Sequence, residues 1–373
     1  MNVRRSTALA GAATMALAMA VAIPVGSAAA DGSFVGAAHR VSTIASTVPA
    51  NGDVNPYGVA VVPTDQGRLY RGNVLVSNFN DSANLQGTGT TLVQVSPGGR
   101  VTQFARIDSA KLPGSCPGGV GLTTALSILP GGWVVVGSLP TKDGMSATAK
   151  AGCLLVLDSS GKVRETLSGH GINGPWDMTA VSRGPVSDLF VTNVLNGTVA
   201  AGGATVHKGT VLRLTLVAGP DGRPPRLVSS TVIGSGFAEH SDPAALVVGP
   251  TGVGLSRNGT LYVADTAGNR ITAIPDAVRR DSSAGTGRTV TGNGSLNSPL
   301  GLTVAPGGDI LTVNAADGNL VETTPGGHQV AVRQLDSSGS PAGAGALFGL
   351  AVQPDRHAVY FVDDATNQLD LLH

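Results

Sequence analysis

Apolar residues in this chain come in short β-branched runs, each closed by Gly, Pro, Asn or Asp. Runs this short, between turn residues, predict strands rather than helices. The runs also repeat. A Pro-x-Gly opens an apolar strand, a Pro/Gly turn follows, and a second strand ends in Asn or Asp. Pro56-Tyr57-Gly58 starts one such unit, with Val74–Asn78 as its second strand. Pro299-Leu300-Gly301 with Ile310–Asn314, and Phe348-Gly349 with Val359–Asp363, repeat it plainly. Looser copies start at Ala125, Pro175 and Pro250, making six. Third strands are predicted at Thr91–Ser96, Cys153–Asp158, Thr210–Leu216, Arg270–Ile274, Leu320–Thr324 and Gln368–Leu372. Fourth strands follow in five units, among them Arg100–Phe104, Lys162–Leu167, Leu227–Ile233 and Gln329–Val332. The sixth unit runs out at His373 with three strands. Arg40–Ala45, ahead of the first unit, reads like the missing outer strand. Pairing it into the last unit closes a ring and leaves only short, protected edges.

One copy carries a specific likeness. Gly259-Thr260-Leu261-Tyr262-Val263-Ala264-Asp265-Thr266-Ala267-Gly268-Asn269-Arg270-Ile271 resembles an NHL repeat almost residue for residue. The first, fifth and sixth units keep its frame, while the second and third keep mainly the hydrophobic pattern. The resemblance implies an all-β fold, a six-bladed β-propeller with four-stranded antiparallel blades. It implies no single function.

Composition supports an all-β repeat protein. The 373 residues include 53 Gly and 22 Pro, yet 42% are hydrophobic and only 13% charged. Residues 1–30 read as a signal peptide. Arg4 and Arg5 precede an Ala-rich apolar run, and Ser27-Ala28-Ala29-Ala30 offers a small-residue cleavage pattern. Ser6-Thr7-Ala8 lacks the bulky apolar residue usual in twin-arginine signals, which leaves the export route open. A single mature domain over 31–373, secreted or periplasmic and monomeric, is expected. No later apolar run is long enough to span a bilayer, so no membrane insertion is expected after the signal is removed. Removing Arg4 and Arg5 takes the formal charge from zero to −2, and no basic patch remains. Nucleic acid is therefore an unsuitable partner.

Export permits a disulfide between Cys116, in the loop leading into the second blade, and Cys153, at the end of that blade's long rim loop. Loop-closure entropy credits such a bridge with about 3–4 kcal/mol. Blades one to three carry long loops at Asn78–Thr90, Gly137–Gly152 and Asn193–Gly209, so half of one rim is raised. Long loops on a rigid scaffold are where function tends to sit.

The channel mouth is expected to be ringed by Tyr57, Thr124, Trp176, Thr251, Leu300 and Phe348. Calcium-dependent lactonases and arylesterases of the SMP-30 and paraoxonase type place Asn, Asp or Glu ligands near these positions. Calcium takes six to eight oxygens, and this ring supplies few, so neither calcium nor zinc is favoured. Asn78, Asn193, Asp265, Asn314 and Asp363, closing the second strands, read as turn formers rather than metal ligands. Asp177 breaks the frame by standing where four blades have Gly. With His170, Asn173, Glu239, His240 and Asn55 it could form a cluster over the channel, binding metal or acting as an acid–base pair. Known nucleophile elbows, phosphate loops and zinc helices are absent. The sequence thus favours a binding module for a small molecule, glycan or protein, with Asn55, Tyr57, His170, Trp176, Asp177 and His240 at its mouth. The alternative is a metal-dependent hydrolase or lyase on the same ring.

Overall fold

The computed structural model describes residues 32–243, 245–353 and 357–373. The expected signal peptide lies outside them. Ser33–His373 forms one compact body of six antiparallel sheets arranged in a ring. The inner strands are Val54–Val61, Leu122–Leu129, Gly174–Arg183, Pro250–Leu255, Pro299–Val304 and Leu347–Gln353. Each packs against the next, and the sixth returns to the first. This is the predicted six-bladed β-propeller.

Closure occurs as expected. The first strand, Val41–Ser46, pairs antiparallel with Gln368–Leu372 and serves as the outer strand of blade six. Just before it, the buried Glu322 of blade five accepts hydrogen bonds from Ser33 Oγ (2.5 Å) and the Phe34 and Val35 amides (2.8 and 2.7 Å). That pins the start of the described chain to the ring.

Burial follows distance from the axis. Second strands such as Val74–Asn80 are buried at every position, because a neighbouring blade covers each face. Such strands read as continuous apolar runs. The outer strand Gln329–Gln334 alternates between half-buried and exposed, facing water on one side. Apolar clusters fill the wedges between adjacent blades, and the one between blades six and one continues into the channel mouth.

The Pro-x-Gly signature has a steric cause. A Cβ on Gly301 would lie 1.9 Å from the Phe348 carbonyl oxygen, and one on Gly349 would lie 2.1 Å from that of Tyr57. Only glycine lets neighbouring inner strands approach this closely.

The outer strand of blade three departs from expectation. It was predicted over Leu227–Ile233 but runs from Arg226 to Asp242, and a short strand, Leu246–Val248, folds back onto it. Gly234 and Gly236 suggest a loop in sequence. Instead Gly209 pairs with Phe237 and Thr210 with Ser235, which leaves Gly236 (φ 82°) as the extra residue of a bulge. A bulge bends a strand without ending it. Glu239 and His240 therefore lie in a strand, not in a loop leading to blade four.

Candidate functional site

The two ends of the channel differ. At the upper end, where the chain passes into the inner strands, the aromatic ring positions meet one another. Tyr57 stacks on Phe348 at 4.0 Å and on Phe79 at 4.4 Å between ring centroids, with Trp176 at 6.2 Å. Leu300 joins them, as do Leu139 and Val194 from the raised rim and Leu246 and Val247 from the blade-three hairpin. All are at most 5% exposed. The hairpin is tied to the rim of blade one, where Gln86 Nε2 donates to the Pro243 carbonyl at 2.9 Å. Leu246 adopts a left-handed backbone (φ 58°) while fully buried. Such strain persists only where surrounding packing holds it. The apolar mouth anticipated from sequence is a packed plug.

Above the plug lies a polar layer. The Asn55 side chain hydrogen-bonds the Tyr57 hydroxyl, which burial and then the nearby Asp364 carboxylate hold well above the usual phenol range. The Asn55 backbone N–H donates to Asn367 Oδ1 at 2.8 Å, which latches blade one to blade six. Burial, followed by repulsion from Asp363, raises Asp364 to about 7. Asp363 itself is raised to about 6 by burial and then by Asp336. Asp242 and Asp364 flank Tyr57, and the buried Asn55 Oδ1 lacks a hydrogen-bond partner. Among the described residues no group of three or more His, Cys, Asp or Glu is placed to hold a metal.

The lower end is open. A cavity of about 1080 Å³ occupies the channel there, walled by inner-strand residues, aliphatic ones such as Val59, Ile128, Leu255, Val304 and Val352 among polar ones such as Thr124, Ser127, Thr179 and Thr303. Asp177 borders it, 8% exposed. Asp177 Oδ2 accepts from the Val253 amide of blade four at 3.0 Å, and Oδ1 from the Met178 amide at 2.8 Å. Thr192 Oγ1 accepts from the Asp177 amide at 3.0 Å and itself donates to the Thr251 carbonyl at 2.5 Å. Where four blades use glycine to bring neighbouring strands together, blade three uses a carboxyl to bridge them. Burial raises Asp177 to about 8, against the pull of the two amides. The group is largely neutral at pH 7 and could give or take a proton near neutrality.

The remaining sequence candidates are dispersed. His170 is exposed in a left-handed turn (φ 52°) and borders a small groove with Glu165 and Arg226, between the outer strands of blades two and three. It is away from the channel mouth because the link into an inner strand starts at the outer edge of the preceding blade. His240 pairs with Val248 in the hairpin. Buried Glu239, raised to about 7 by desolvation, accepts from the Asn196 amide at 2.9 Å and fastens the blade-three rim loop. Asn173 donates to Asn196 Oδ1 at 2.6 Å. Among the second-strand Asn and Asp residues, Asp265 and Asp363 make the expected local turn bonds, whereas Asn78, Asn193 and Asn314 also tie the strand to the segment leading into its blade. Asn193 Oδ1 accepts from the Asn173 and Gly174 amides, Asn314 Nδ2 donates to the Ser295 carbonyl, and Asp363 accepts from the Thr366 amide. Cys116 and Cys153 form the predicted disulfide, with Cα atoms 5.3 Å apart. Arg71 and Arg257, which border the lower opening from blades one and four, carry no motif that marks them in sequence.

No family model matches the chain, and no curated protein matches it. Solved structures do. A gluconolactonase from Xanthomonas campestris aligns with a TM-score of 0.53 at 15% identity, over 89% of each chain. Regucalcin, a calcium-binding protein from Agrobacterium tumefaciens, aligns at 0.50 and 13% identity, over 89% of this chain and 95% of its own. A luciferin-regenerating enzyme aligns at 0.50 and 12% identity, over 89% and 94%. At such identities the likeness is one of fold.

Proposed function

We propose that this protein is an exported, NHL-type propeller that binds a small molecule in the lower half of its channel. The observation that carries the reading is the asymmetry of that channel: plugged above, and open below as a cavity of about 1080 Å³ that ends near a buried carboxyl. Concave sites that set placed polar groups among hydrocarbon are the usual form of small-molecule pockets. The Cys116–Cys153 bridge supports an oxidising compartment and hence export. The test is a thermal-shift screen of small molecules against the native protein and an Ala351→Trp variant, whose indole fills the cavity. Compounds that stabilise the native protein and leave the variant unmoved are expected. A screen in which every hit stabilises both equally would refute the channel site.

A second reading is a hydrolase or lyase, and the comparisons lean toward it, since the aligned structures include a gluconolactonase and a luciferin-regenerating enzyme. In this chain the chemistry would draw on Asp177 as a general acid or base. Screening lactones and esters with the native protein and Asp177→Asn separates the readings. Turnover lost in the variant supports an enzyme, and binding without turnover supports the module.

A further inference from the structure

We infer that the lower channel selects an organic amine, with the ammonium group turned inward to meet Asp177. This rests on the small-molecule reading above and specifies its ligand. Asp177 is the only carboxylate on the six inner strands. The only basic residue on those strands, Arg183, is paired with Asp188 at 2.6 Å. No cation on these strands therefore competes for the carboxyl.

Each Asp177 oxygen already accepts one backbone N–H, which fixes the group's orientation and leaves each oxygen further capacity as an acceptor. A ligand anion would gain nothing from this group. A neutral ligand would leave it as it is. An ammonium supplies the counter-charge that burial denies it, and a buried charge is tolerated when paired and hydrogen-bonded.

The rest of the cavity sets direction. Val59, Ile128, Leu255 and Val352 present hydrocarbon between floor and opening, interleaved with Ser127, Thr179 and Thr303, so the body attached to the amine can carry hydroxyl groups as well as hydrocarbon. Arg71 and Arg257 stand at the opening from opposite sides of the ring, exposed and without an ion-pair partner among the described residues. A cationic group is therefore disfavoured at the mouth and favoured at the floor, which orients the molecule amine-first.

The experiment is calorimetric titration of the purified protein with three probes of matched body: hexylamine, hexan-1-ol and hexanoate. Asp177→Asn keeps the shape of the side chain, and Asp177→Gly installs the residue used at this position in four other blades. Circular dichroism melts verify that both variants fold. Hexylamine is expected to bind about tenfold or more tighter than hexan-1-ol. Both variants should erase that advantage while leaving hexan-1-ol unchanged. Equal or tighter binding of the alcohol or the acid, or an advantage that survives in both variants, overturns the amine assignment alone. If none of the three binds the native protein, the amine assignment fails and the channel reading loses its simplest support, which the Ala351→Trp screen then decides separately.

Discussion

The two ends of the channel are made by the same six strands and treated oppositely by the residues around them. Above, three raised loops and a folded-back hairpin bring Leu139, Val194, Leu246 and Val247 onto an aromatic stack centred on Tyr57. Below, nothing crosses the axis among the described residues, and the strands end around an open cavity. In a propeller the ring supplies the hole, and added segments decide which end remains usable. The loops that looked most suited to holding a ligand here stabilise the fold. The less conspicuous short turns frame the opening.

The comparison can be broken by emptying the plug. Tyr57→Ala removes the ring shared by three aromatic contacts and should cost about 3–5 kcal/mol, measured by denaturant unfolding. A loss below about 1 kcal/mol would mean that the upper mouth is not packed core. Next in size is the staple on the raised rim. Replacing Cys116 and Cys153 together by Ser should cost about 2–4 kcal/mol, with fluorescence and far-ultraviolet melts reporting one shifted transition. Unchanged stability would show that the rim loop is held without its disulfide.

A smaller effect comes from protons. Asp177, Glu239, Asp364 and Asp363 all have folded values raised by burial, to about 8, 7, 7 and 6. A raised carboxyl binds its proton more tightly folded than unfolded, so its contribution is full below about pH 4. It is lost as pH rises through the folded value. The protein should melt at a higher temperature at pH 5 than at pH 9, and Asp177→Asn should flatten the part of that slope near pH 8. A midpoint that rises from pH 5 to pH 9 would contradict the burial of these groups. Smallest of all, Ala351→Trp at the open end should alter stability by no more than about 1 kcal/mol. A large loss would mean that the lower channel is filled more tightly than its shape indicates.

Much of the ring was legible in the chain because a propeller repeats its grammar. β-branched runs, Pro-x-Gly starts and terminal Asn or Asp residues recur, so errors in one copy are corrected by the others. The closing strand and the disulfide were readable for the same reason, each fitting a place the frame left open. The blade-three hairpin was not, because it occurs once and its glycines serve a bulge that looks like a loop. Nor was the usable end of the channel. Alternation along a strand tells which side chains face which neighbouring blade, but not how far a distant hairpin reaches across the axis. Asp177 stood out as a break in the frame. That it bridges to the Val253 amide and borders the lower cavity, apart from His170, depends on the depth of the strand in the channel.

The pairing of Val41–Ser46 with Gln368–Leu372 has a kinetic corollary. The hydrogen bond between Ser42 and His373 spans 331 positions of chain, so the last blade cannot close until Gln368–Leu372 has been made. Closing so long a loop is entropically slow even though each doubling of length adds only about 0.6 kcal/mol. The nascent polypeptide should therefore stay unsealed, with the leading strand Val41–Ser46 unpaired, for as long as its tail is held elsewhere. If the chain is exported unfolded, in line with the proposed function, that delay is useful. It also makes the interval before sealing the time when aggregation through that unpaired strand is most dangerous.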